Sequence, residues 1–171
     1  MKKQDLLWIL AYPLYQLIGT FRHEASHALA GMMQGNVITE FVFWPTSRGW
    51  GYVSWEGPTT VASIAAPYLC DLLTFLLFFA VCMAVVLRRR WLWINMVAIG
   101  IISPLINSAY NYRGGLRSTN DVGWLLQQMP PMAVHAYFWI TMFTYLIGLI
   151  LVFTVSRMAR TARSTTAKQD P

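Results

Sequence analysis

Four long apolar stretches divide the chain, at about Leu6–Met33, Thr59–Leu87, Trp91–Tyr112 and Met132–Ser156, and few charges interrupt them. A helix rises about 1.5 Å per residue, so a hydrocarbon core about 30 Å thick takes roughly 20 residues to cross. All four stretches reach that length, and the pattern predicts four transmembrane helices. The first follows Lys2 and Lys3 like a signal peptide. It outruns the usual apolar signal core, however, and it contains Arg22, His23 and Glu24, so it is expected to be retained.

Between the first two stretches the pattern changes. VITEFVFWPTSRGWGYVSWEGP holds two runs of β-branched and aromatic residues around a Pro-Thr-Ser-Arg-Gly break. This predicts a β-hairpin over Val37–Trp44 and Trp50–Trp55. Phe41, Phe43, Trp44, Trp50, Tyr52 and Trp55 are too many aromatics for a solvated loop, so the hairpin is expected in the membrane interface or against the protein. The predicted fold class is therefore an all-α polytopic membrane protein, with four transmembrane helices and a short membrane-associated β-hairpin between helices 1 and 2. Residues 1–157 form one transmembrane domain. The stretch 158–171 lacks apolar periodicity and reads as a disordered basic tail.

Composition strengthens the membrane reading: 56% of the 171 residues are hydrophobic and only 12% are charged, against about a quarter charged in soluble domains. The net charge of +6 does not point to nucleic acid, because the basic residues collect at the ends of the apolar stretches. Lys2, Lys3, Arg88, Arg89, Arg90, Arg157, Arg160, Arg163 and Lys168 fall on one side of four spans, and Arg48, Arg113 and Arg117 on the other. By the positive-inside rule both termini are cytoplasmic, in a multi-pass cell-membrane protein such as one of a bacterial inner membrane. Cys70 and Cys82 share one apolar run and build neither a disulfide framework nor a cysteine metal site.

The first stretch carries His23-Glu24-Ala25-Ser26-His27. Residues four apart on a helix lie one above the other, so both imidazoles can reach one ion while Glu24 serves as general base toward water activated by it. Placing these groups near hydrocarbon costs several kcal/mol unless something compensates, and ionisable residues inside a membrane are functional by default. The expected cofactor is Zn2+. The bland alternative is a hydrogen-bonded polar cluster. Counted from Leu6, His23 is expected some 26 Å along its span, close to the non-cytoplasmic interface.

A catalytic zinc needs a third protein ligand. Asp121 is the leading candidate, since it follows the third span on the side that His27 reaches. His135, Asp71, Glu40 and Glu56 remain open. Asn107 and Asn111 share a helix face and could contact an oxyanion or substrate, or only bond between helices. Arg22 is expected to snorkel to the interface.

These residues resemble a known family. His23-Glu24-Ala25-Ser26-His27-Ala28 with Gly35, the aromatic hairpin, and Asn120-Asp121-Val122-Gly123 are similar to the first motif, the membrane-associated β-region and the Asp-Gly motif of site-2 intramembrane zinc metalloproteases, particularly small bacterial members. Asn-Asp-Val-Gly stands here where that family usually has Leu-Asp-Gly. The resemblance implies a three-helix catalytic core, zinc bound by His23, His27 and Asp121, and cleavage of a membrane protein or peptide in or near a transmembrane segment, with the fourth span an addition. Outside that family, two alternatives stand: a zinc hydrolase acting on a lipid or small amide, and a non-enzymatic membrane regulator with a structural metal.

Overall fold

The computed structural model describes residues 11–47, 49–85, 90–117 and 120–166. Helix α1 spans Tyr12–Met33 and opens on Pro13, whose fixed φ suits a first turn and whose missing N–H is not needed there. The expected start at Leu6 lies outside the described residues. At its other end Gly35 takes φ +84°. Gly35 N–H bonds to Met32 O at 2.9 Å and Asn36 N–H to Gly31 O at 3.0 Å, closing the helix with a left-handed cap that turns the chain into the hairpin.

The predicted hairpin is present as antiparallel strands β1 (Val37–Thr46) and β2 (Gly49–Glu56). Its register pairs Ile38 with Trp55, Val42 with Tyr52 and Pro45 with Trp50, with irregularities on either side of Glu40–Val42. The strands lie against α1, where Phe21 meets Phe41 and Phe43 edge-on at 5.9 and 5.3 Å.

Helix α2 (Val61–Ala84) begins with a reciprocal cap between Thr60 and Ser63. The next span is one helix in three parts: α3 (Arg90–Val97), a π-helical turn (Ala98–Ile102) and α4 (Ser103–Gly115). A short α5 (Asp121–Gln128) follows, capped by Asn120, whose Oδ1 accepts from Gly123 N–H at 3.1 Å. Helix α6 (Pro131–Thr166) closes the fold. Its backbone continues over positions 158–166, within the stretch expected to be a disordered tail, where Met158, Ala159, Arg160, Ala162 and Arg163 are good helix formers. Residues 167–171 of that tail lie outside the described residues, as do Lys2, Lys3, Arg48, Arg88, Arg89 and Lys168 of the charge pattern.

Among the described residues, three helices are long and apolar enough to cross a membrane: Val61–Ala84, Trp91–Gly115 and Pro131–Ser156. Their outer faces are apolar, with Leu73, Leu77, Ile140 and Ile150 exposed, which marks a membrane protein. Helix α1, the expected first span, does not join them. It is helical, but Gln16, Arg22, His23, Glu24 and His27 dilute its apolar content.

Two apolar clusters hold the helices together. One joins α2, α5 and α6 through Ile64, Tyr68, Val122, Leu125, Val134 and Phe138. The other joins α2, α6 and the π-helical span through Phe75, Val97, Ile101, Tyr145 and Val152. The first lies beside the histidines of α1, since the Tyr68 ring packs between His23 and Phe138 at 5.5 and 4.9 Å.

Candidate metal centre

One turn of α1 sets His23 above His27 with ring centroids 4.9 Å apart, and both are buried. The cap of α5 brings Asp121 to them from 94 residues further along the chain. Its Oδ2 lies 3.0 Å from His27 Nε2 and 3.2 Å from His23 Nε2. Two ligand atoms each about 2.0–2.1 Å from a tetrahedral ion stand about 3.3 Å apart. The observed spacings are close to that value, and nitrogen and carboxylate donors suit zinc.

Second contacts sharpen the fit. His27 Nδ1–H donates to the Ser63 carbonyl at 2.8 Å. Neutral His27 then turns the bare lone pair of Nε2 toward an Asp121 oxygen, and two lone pairs 3.0 Å apart require a cation or a proton between them. His23 is held differently: its Nδ1 faces the Asn107 amide Nδ2 at 3.2 Å. In that contact the ring proton belongs on Nε2, so ligation through Nε2 requires His23 to move the proton to Nδ1 and to give up its contact with Asn107 Nδ2. Where a proton rather than an ion stands between His27 and Asp121, burial pushes the Asp121 carboxyl up, but hydrogen bonds and charge from His23 and a protonated His27 outweigh it and hold the group well below the usual carboxylate range.

Glu24 is 7% exposed, and it shares with His23, His27 and Asp121 the wall of one cavity of about 470 Å³. Trp50, Tyr52 and Trp55 of β2 form one side of this cavity, and Ile106, Tyr110 and Asn111 of α4 the other. Gly51, at φ +87°, lets β2 close on Thr20 and Glu24; a Cβ there would stand 2.5 Å from Thr20 Cγ2. The site lies eleven residues after Tyr12, about 16 Å along α1. It is thus near the middle of the described helix.

The remaining candidates for third ligand are engaged elsewhere. His135 Nδ1 meets the Tyr112 hydroxyl at 2.9 Å, and Glu40 accepts from the Tyr52 hydroxyl at 2.5 Å. Glu56 is exposed and pairs in the hairpin with Val37. Asp71 is fully buried and binds Arg22, whose Nε and Nη2 donate to its Oδ1 at 2.9 and 2.6 Å. Arg22 therefore does not snorkel: a carboxylate between the helices receives it, and its Nη1 donates to Ile99 O at 3.3 Å.

Asn107 Nδ2 also donates to Asp71 Oδ2 at 2.6 Å, while Asn111 Nδ2 donates to the Asn107 side chain at 2.9 Å. Both asparagines line the cavity, so they bond between helices and also face the site. Sequence reasoning passed over Asn120, whose Nδ2 donates to Asn111 O at 3.0 Å, and the Ser63 carbonyl. Asn120 had a signal as a helix cap directly before Asp121; a backbone carbonyl has none. No protein-family description, curated protein or solved structure matches this chain.

Proposed function

We propose that the chain is an intramembrane zinc metalloprotease that hydrolyses a peptide bond in or near a transmembrane segment of a protein substrate. The observation that carries this reading is the meeting of His23, His27 and Asp121 at one point, with Glu24 beside them on the wall of a single cavity. The resemblance of these motifs to site-2 proteases points the same way.

His23 Nε2, His27 Nε2 and an Asp121 oxygen are the three atoms that hold the ion, with the cavity side left for substrate and water. A zinc ion bound there supplies Lewis acidity, polarising a carbonyl and acidifying water. Glu24, beside these ligands on the cavity wall, is the carboxylate that would take a proton from the attacking water and return it to the leaving amine. Asn107 and Asn111 both line the cavity and are the amides placed to contact an oxyanion or the substrate. A helical substrate must unwind before it reacts, and the cavity runs beside β2, where an extended segment fits.

Helix α1 crosses the membrane with the three apolar helices in this reading, because it is polar inside and apolar outside. Gly19, His23, Glu24, His27 and Gly31 are its buried residues, whereas Leu14, Ile18, Phe21 and Leu29 are exposed. Mean apolarity understates such a helix.

The test is metal analysis of purified wild type, Glu24→Gln and His27→Ala, together with cleavage of a single-span membrane protein. Zinc is expected in wild type and Glu24→Gln and absent from His27→Ala. Cleavage should fall about 10²–10⁴-fold in Glu24→Gln. A wild type that binds no zinc overturns the reading.

A further inference from the structure

Pro67 lies inside α2, fully buried, four residues after Ser63. In a helix the carbonyl of residue i accepts from the N–H of residue i+4, and proline has none. The Ser63 carbonyl thus loses its helical donor, and the proline ring disfavours its usual alignment. Ser63 is itself fixed in place: its N–H donates to Thr60 Oγ1 at 3.1 Å and its hydroxyl to Thr60 O at 2.9 Å. The carbonyl left free by Pro67 is the one that accepts from His27 Nδ1–H at 2.8 Å.

We propose that Pro67 is a positioning residue of the metal centre: by withholding an N–H, it reserves the Ser63 carbonyl for His27 and fixes the tautomer in which Nε2 is the ligand atom. The inference rests on the metal reading above for its purpose, but not for its geometry. An imidazole that ligates through one nitrogen needs an acceptor for the proton on the other. Here no side chain supplies it; a gap in the helix bonding of α2 does.

The fold uses the same device a second time. Ser103 N–H is directed to Ala98 O across the π-helical turn, and Pro104 has no N–H, so Ile99 O is left for Arg22 Nη1 at 3.3 Å. Two groups of the polar stripe on α1 are thus received by carbonyls that prolines of neighbouring helices leave open.

The experiment uses the full chain in detergent with ¹⁵N-labelled histidine, read by NMR at mildly alkaline pH without metal, followed by zinc titration. Wild-type His27 is expected to carry a proton on Nδ1, with a second proton toward Asp121 before zinc is added, and to be the Nδ1–H tautomer once zinc is bound. In Pro67→Ala the restored N–H competes for Ser63 O, so the Nε2–H form should appear and zinc affinity should weaken about 10- to 100-fold. Thermal stability should not fall, since an interior proline has been removed from the helix. Wild-type His27 in the Nε2–H form overturns the proposal, even where Pro67→Ala does not fold. A folded Pro67→Ala with unchanged tautomer and zinc affinity overturns it too. A wild type that binds no zinc sinks the metal reading, and the tautomer spectra then decide the role of Pro67 without it.

Discussion

Asp71 shows how much a single residue holds at this site. It is fully buried, it neutralises Arg22, and it fixes Asn107 behind His23. Removing one partner of a buried ion pair leaves the other charge uncompensated, at a cost of about 3–5 kcal/mol. Asp71→Ala should therefore lower the unfolding free energy by that order, read by denaturation in detergent. The double replacement Arg22→Met with Asp71→Leu should recover much of the loss, because it leaves no charge buried alone. The sequence marked both residues as unusual inside apolar stretches. It did not pair them, because 49 residues separate them and Arg22 read as a side chain snorkelling to the interface.

At the scale of elements, the hairpin was recoverable because its two aromatic runs and the break between them are local. Its purpose depends on contact with α1. Gly51 lets β2 lie against Thr20 and Glu24, whereas Gly35 has open space where a Cβ would stand. Both take positive φ, so an alanine at either costs about 1–2 kcal/mol in backbone conformation. Gly51→Ala should also displace Glu24 or Thr20. The expected outcome is greater destabilisation for Gly51→Ala, and a loss of the proposed proteolysis distinctly larger than for Gly35→Ala; equal activities would detach β2 from the proposed catalytic wall. Helix α1 taught the opposite lesson. Its place in the chain was clear from the apolar pattern, but that Gly19, His23, Glu24, His27 and Gly31 form its buried face was shown only by packing.

For the whole molecule, the basic residues at the ends of the apolar stretches set an expected orientation, with the hairpin outside and the C-terminus in the cytoplasm. Reporter fusions at Ser47 and at the C-terminus check it: Ser47 should report the non-cytoplasmic side, and a cytoplasmic Ser47 would reverse the arrangement. Within the described fold, α1 from Tyr12 to His27, strand β2, Ile64 of α2, α4 and the start of α5 line one cavity. The three candidate ligands and Glu24 therefore share one compartment, whichever way it faces.

His23, Glu24 and His27 could be read directly from the chain, because a spacing of four on a helix is a local property and so many polar groups in an apolar stretch require a reason. The apolar spans and the hairpin followed from periodicity in the same way. Asp121 could be ranked but not chosen, since His135, Asp71, Glu40 and Glu56 offer the same chemistry, and only packing assigned those four to other partners. The Ser63 carbonyl was beyond reach of residue types altogether. Every residue carries a carbonyl, and this one matters because Pro67 leaves it free and the packing of α1 on α2 brings His27 within 2.8 Å of it. Local spacing fixes which side chains can act together; long-range packing fixes which of their possible partners they meet.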